Sequence, residues 1–166
     1  MERDPIDKLR ELLAGFSTAM LVTHSERGGL RARPMALVEI EGSCRLWFIA
    51  SEESAKVHEI EKDKHVLIVC QDGEKVHVSL SGRAHLERDR ARIDRLWQDS
   101  FKTWFPQGKT DPQIVLIGVS PVEAEYWDNR EMNGVRHFAR SATAYLKGGH
   151  RQKADGEEHG HVVMMP

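Results

Sequence analysis

Arg33, Ser54 and Lys56 are the residues of this chain whose types and order could grip an anion. Arg31-Ala32-Arg33-Pro34-Met35 reads as a cationic strand, Leu46-Trp47-Phe48-Ile49-Ala50 as an apolar strand, and Ser54-Ala55-Lys56 as the opening of a helix. The first turn of a helix carries unpaired N–H groups and partial positive charge, so it favours an anion. Ser54 adds a hydroxyl, Lys56 a point charge, and Arg33 a fork of donors that matches phosphate oxygens. Alone, Ser-x-Lys describes no more than a capped helix with a solvated lysine. Set after the arginine strand and the Trp-Phe-Ile strand, it reads as half of a site. Strand backbone beside it suits a flat ring. The ligand expected is a phosphate joined to a planar heterocycle, and flavin mononucleotide (FMN) is the leading candidate.

The bulk composition suits that role and excludes others. The chain has 166 residues, long enough for one core without staples, and a formal charge of −2. Nucleic-acid binding needs a one-sided basic surface, whereas Arg83, Arg88, Arg90, Arg92 and Arg95 alternate with Glu87, Asp89 and Asp94, as on a solvated helix face. Val66–Cys70 and Ile114–Ile117 are too short to span a bilayer, and no charged-then-apolar leader opens the chain, so cytoplasmic residence is the expectation. Cys44 and Cys70 have no zinc or C-x-x-C spacing and read as reduced core residues on strands.

The elements that must position these groups follow from periodicity and punctuation. Asp4-Pro5 opens a helix that carries Ile6, Leu9, Leu12, Leu13 and Phe16 on one face. Strands are expected at 17–23, 30–40, 44–50, 65–71, 76–86, 113–119 and 122–127, separated by turns rich in Gly, Ser and Asp. A short helix should fill 54–62 and a longer one 89–104, with Trp97, Phe101, Trp104 and Phe105 as a packed face. Gly82 marks a bulge or a close backbone approach. A further helix is expected at 135–146. Residues 1–146 form one domain, and 147–166 read as a polar, flexible tail whose His159-Gly160-His161 is a loose end rather than a metal site. The fold class is mainly β, a small barrel of six to seven antiparallel strands with peripheral helices, since closure removes exposed edges.

The order Arg33-Pro34-Met35, Leu46–Ala50, Ser54-x-Lys56 and His77-Val78-Ser79-Leu80-Ser81-Gly82 resembles the pyridoxamine 5′-phosphate oxidase-like family, and within it the general stress protein 26 branch. Leu96-Trp97, Trp104-Phe105-Pro106, Asp111-Pro112 and Glu125-Tyr126-Trp127-Asp128 fit that branch too, so the similarity spans about residues 5 to 145. The resemblance implies an FMN-binding split barrel that forms a homodimer with the cofactor at the interface. By position, Arg33, Pro34 and Met35 would line the ring and ribityl chain, partly through backbone. Ile49 and Ala50 would lie along the flavin, and Ser54 and Lys56 would hold the phosphate. His77 and Ser79 would come from the second subunit, and Trp127 would approach the ring.

Departures from the family pattern narrow the chemistry. Ala55 stands where much of the branch has Gly and where true pyridoxamine phosphate oxidases have an extra arginine; His77 replaces their glutamine. Their Arg-x-His signature for substrate phosphate has no match after Trp127. Vitamin B6 oxidation is therefore not expected. The function expected is an FMN-dependent oxidoreductase taking electrons from a donor such as NAD(P)H to a small acceptor. The alternative is a flavin-binding stress protein that stores or senses FMN without turnover, with deazaflavin F420 or haem as less favoured ligands. No residue stands out as a catalytic acid, base or nucleophile.

Overall fold

The computed structural model describes residues 4–73, 75–130 and 158–164. Helix α1 (Pro5–Leu13) starts where Asp4 accepts the Ile6 N–H through Oδ1 at 2.9 Å, and it buries Leu9, Leu12 and Leu13. Strands β1 (Thr18–His24), β2 (Leu30–Ile40) and β3 (Leu46–Ser51) follow, then helix α2 (Ala55–Lys62), strands β4 (His65–Asp72) and β5 (Val76–Glu87), helix α3 (Arg90–Leu96), and strands β6 (Ile114–Asp128) and β7 (Glu158–Val163). The sheet order is β3-β2-β1-β4-β5-β6-β7, and an added β3–β6 pairing closes the first six strands into an antiparallel barrel. Among the described residues no helix is long and apolar enough to cross a membrane.

Strand alternation sorts side chains into an inner and an outer face. One register line, Arg33–Leu21–Ile68–Leu80–Ala124–Val162, points inward, and the barrel core fills around it. The adjacent line, Pro34–Met20–Val69–Ser79–Glu125–His161, points outward. A second apolar cluster lies outside the barrel, where Trp47 and Ile49 of β3 pack against Ile93, Phe101 and Phe105. There Trp97 meets Phe101 edge-on, so the aromatic face expected from helical spacing is indeed packing, apart from an exposed Trp104.

Four expectations need correction. The long helix at 89–104 stops at Leu96, and Asp99–Thr103 forms a 3-10 turn instead. The two strands expected at 113–127 are one, because β6 passes Pro121 by a register shift opposite Ser81 and Gly82. A Cβ at Gly82 would lie 2.5 Å from the Ser120 carbonyl oxygen, so the close approach read from Gly82 is real. Cys44 precedes β3 in a turn, at φ 59°, rather than on the strand, while both cysteines are buried free thiols. In the segment expected to be a flexible tail, Glu158–Val163 is strand β7, paired along the end of β6 and burying Val162. The helix expected at 135–146 lies outside the described residues.

Candidate functional site

Within the closed barrel, β2 and β3 pair at one end of their seam and part at the other. These strands pair only through Leu37, Glu39 and Ile40 of β2, whereas Ile49–Ser51 of β3 pair with β6 alone. Residues 31–36 pair only with β1, which leaves a split with two backbone lips. Leu37 donates its N–H to Ser17, and alternation from that bond turns the backbone groups of Met35 and Arg33 toward β1. Those of Ala32, Pro34 and Ala36 turn toward the split. Of the Arg33–Met35 trio expected to touch a ring through backbone, only Pro34 offers its carbonyl there. Its missing N–H costs no ladder bond at such an edge. On the other lip, Ile49 faces the outer cluster and Ala50 the barrel core.

Chain geometry continues from this split into α2. Ser54 occupies the N-cap position with extended backbone, yet its side chain makes no capping bond. Its Oγ is buried without a hydrogen-bond partner, so the plain reading of Ser54 as a side-chain cap fails. Two residues on, in the first turn, Lys56 is half-buried and makes no hydrogen bond or ion pair among the described residues. Burial and then the Arg33 guanidinium push its ammonium below the ordinary lysine range, against a smaller opposing pull from Glu59.

Arg33 does not stand free as an open fork. Its Nη1 donates to Thr23 Oγ1 at 2.5 Å and its Nη2 to Glu59 Oε2 at 2.7 Å, two of the five donors a guanidinium carries. Thr23 in turn donates to Glu59 at 2.6 Å, and Arg31 Nη1 reaches the other carboxylate oxygen at 3.1 Å. Burial pushes the Glu59 carboxyl up, but the hydrogen bonds from Thr23 and Arg33 outweigh it and hold it below the usual carboxylate range. Thr23 and Glu59 were not visible as site residues in the sequence. The available signal was position: Glu59 falls between the inward-turned Val57 and Ile60, where a carboxylate needs partners.

The remaining sequence-predicted residues form a separate group. His77, Ser79 and Trp127 face outward on β5 and β6, and Ser79 lies in the same register line as Pro34, three strand spacings or about 14 Å away. His77 pairs with Trp127, whose indole is covered by His159 of β7. Arg33, Ser54 and Lys56 are thus brought together at the barrel mouth, Pro34, Ile49 and Ala50 line the split, and Met35 is buried in the core. Within one chain, His77, Ser79 and Trp127 are not brought to them.

A family model described as pyridoxamine 5′-phosphate oxidase like matches residues 4–151. Among solved structures, the general stress FMN/FAD binding protein of Xanthomonas citri is 30% identical with a TM-score of 0.65, over 76% of this chain and 90% of that one. A putative general stress protein 26 from Jannaschia sp. CCS1 is 22% identical with a TM-score of 0.71, over 95% of this chain and 97% of that one. A heme binding protein from Mycobacterium smegmatis shares the fold at 13% identity and a TM-score of 0.60, over 76% of this chain and 55% of that one. No curated protein matches the chain.

Proposed function

The chain belongs to the pyridoxamine 5′-phosphate oxidase-like family, and from that premise we propose that it binds FMN between two copies of itself and acts as a flavin-dependent oxidoreductase on a small molecule. The observation that carries the reading is the pair of unsatisfied groups at the start of α2. Ser54 Oγ is buried without a partner, although about nine in ten buried polar groups are satisfied in folded proteins, and half-buried Lys56 beside it makes no hydrogen bond or ion pair among the described residues. A phosphate at the helix N-terminus satisfies both. The local charge agrees: Arg31, Arg33 and Lys56 against Glu59 leave an excess of two positive charges, which matches a phosphate monoester near neutral pH.

The split offers the remainder of the ligand a place. Pro34 presents a carbonyl, and the lip formed by Ile49 and Ala50 supplies apolar strand beside it. Residues on the outer face reach a ligand seated there only from a second copy. Met20, Val22, Leu67 and Val69 form an apolar strip on that face, flanked by Ser79 and His77, and a second chain laid across it would bring His77, Ser79 and Trp127 to its partner's cofactor. When bound, FMN supplies the electron transfer, while the chain supplies placement and charge. Lys56, Ser54 and the Arg33 donors left over from Glu59 and Thr23 hold the phosphate; packing of the two chains keeps water from the ring.

Storage without turnover uses the same residues, so kinetics separate the two readings. Anaerobic mixing of FMN-loaded protein with NADH or NADPH is expected to bleach the flavin within seconds; a flavin that stays oxidised assigns the protein to binding alone. Release of F420 or haem on denaturation, read by mass, would replace FMN as the ligand.

A further inference from the structure

Resting on the anion site proposed above, we infer that Glu59 is its positioning residue: one buried carboxylate holds Arg33 and Arg31 at the barrel mouth and places a negative charge one helical turn from Lys56. Glu59 is 3% exposed, on a helix whose other inward residues are Val57 and Ile60. Burying a carboxylate costs several kcal/mol unless its partners repay it, so a position that needs only packing would carry an apolar residue. Here each oxygen is used. Oε2 receives Thr23 at 2.6 Å and Arg33 at 2.7 Å, and Oε1 receives Arg31 at 3.1 Å.

An ordinary structural ion pair would match one cation to one carboxylate. Two arginines share this one, Lys56 stands unpaired one turn away on the same helix, and among the described residues none of the three cations pairs with another carboxylate. Arg33 keeps three donors after serving Glu59 and Thr23, and its plane is fixed by the two it has spent. Fixing the plane beforehand lowers the ordering cost of binding. The charged groups facing Lys56 are Arg33 from β2 and Glu59 from its own helix. Those facing Glu59 are Arg31 and Arg33 from β2, beside the Thr23 hydroxyl of β1, with Glu26 on the β1–β2 turn a weak further neighbour. Without the Glu59 charge, burial and Arg33 would both act on Lys56 unopposed, and its proton would leave at lower pH.

The test is titration of FMN into the full chain, followed by flavin fluorescence, at pH 7 and pH 9.5. Glu59→Gln keeps the shape and removes the charge. The ratio of wild-type to variant affinity is expected to grow at least twofold between the two pH values, and a ratio that stays constant overturns the inference. Thr23→Val keeps every charge but removes one of the two bonds that fix Arg33; several-fold weaker binding at both pH values is expected, and wild-type affinity overturns it. If Glu59→Gln does not fold, Glu59→Asp, with charge but a shorter reach, should bind more weakly with the wild-type pH profile; undiminished binding again overturns it. A purely structural role would lower the melting temperature without changing the pH ratio. Failure of the wild type itself to bind FMN sinks the anion site, and variants that bind as the wild type does at both pH values sink only Glu59.

Discussion

The indole of Trp127 and the imidazole of His159 stack with centroids 5.0 Å apart and planes 13° from parallel, which fixes the C-terminal strand over a residue of the candidate site. Beside them, His159 Nε2 lies 2.9 Å from Glu125 Oε1 and His161 Nε2 2.5 Å from Glu123 Oε1. On the inner face, Gly160 lies under the Tyr126 ring, where a Cβ would come within 2.2 Å of an aromatic carbon. Gly160→Val is therefore expected to undock β7 and lower stability by about 1–3 kcal/mol, the usual cost of overpacking. Thermal melts and the Trp127 emission maximum would check this. An unshifted melt with unchanged emission would show that β7 does not pack as described.

Ser54 offers the cleanest separation of holding a ligand from holding the fold. Its hydroxyl caps nothing and is buried unpaired, so Ser54→Ala should leave the ligand-free melting temperature unchanged or slightly higher. FMN affinity should fall severalfold in the same variant. Lys56→Ala should weaken it further, by roughly 1.5–3 kcal/mol, the scale of a lost charged hydrogen bond. Calorimetric titration of both variants decides the matter, and wild-type affinity in Lys56→Ala would remove the lysine from the site.

These contrasts show what the sequence carried. The strands from Thr18 to Glu87 were legible because each is a short run rich in β-branched, aromatic or other apolar residues punctuated by Gly, Ser or Asp; α1 was legible because Asp4-Pro5 is both cap and first turn. β7 was not, since a Gly/His-rich run has low strand propensity, and its pairing depends on Tyr126 covering Gly160 and on Val162 entering the core. Ser54, Lys56 and Arg33 could be grouped from order alone. That Arg33 leans on Glu59 and Thr23 could not, because those contacts join residues 26 and 10 positions apart through the closure of the barrel. Pro34 was read as a site residue, but its carbonyl became meaningful only once β2 and β3 were seen to part.

Acid should loosen the α1 side of the barrel. Asp128 is buried, with Arg130 Nη2 at 2.7 Å and Lys8 Nζ at 2.9 Å. Hydrogen bonds from Arg130, then those from Lys8, hold its carboxyl well below the ordinary range despite burial. A carboxyl depressed in the folded state contributes stability above its unfolded value, near 3.9, and loses it as pH falls through the folded value. Asp128→Asn should cost about 1–2 kcal/mol at pH 7, a figure discounted for the exposure of Arg130, and should flatten the stability slope below about pH 4. Urea melts at pH 3 and pH 7 compare the two; an equally steep slope in the variant would assign the acid sensitivity elsewhere.

The outer face should be where two copies meet. Met20 is 37% exposed in the register line that joins Pro34 to Ser79. Met20→Asp places a charge in that strip and should shift the protein to monomer in light scattering at micromolar concentration. FMN affinity should drop with it. A monomeric wild type, or a monomeric variant that binds FMN as tightly as before, would show that one chain suffices for the cofactor.

The account depends most directly on whether this protein takes up a flavin phosphate. Equilibrium dialysis of the purified chain against excess FMN, followed by mass analysis of what denaturation releases, measures that uptake. One FMN per chain, with the flavin absorption bands retained after dialysis against buffer, is the result predicted. A colourless protein that releases nothing contradicts it.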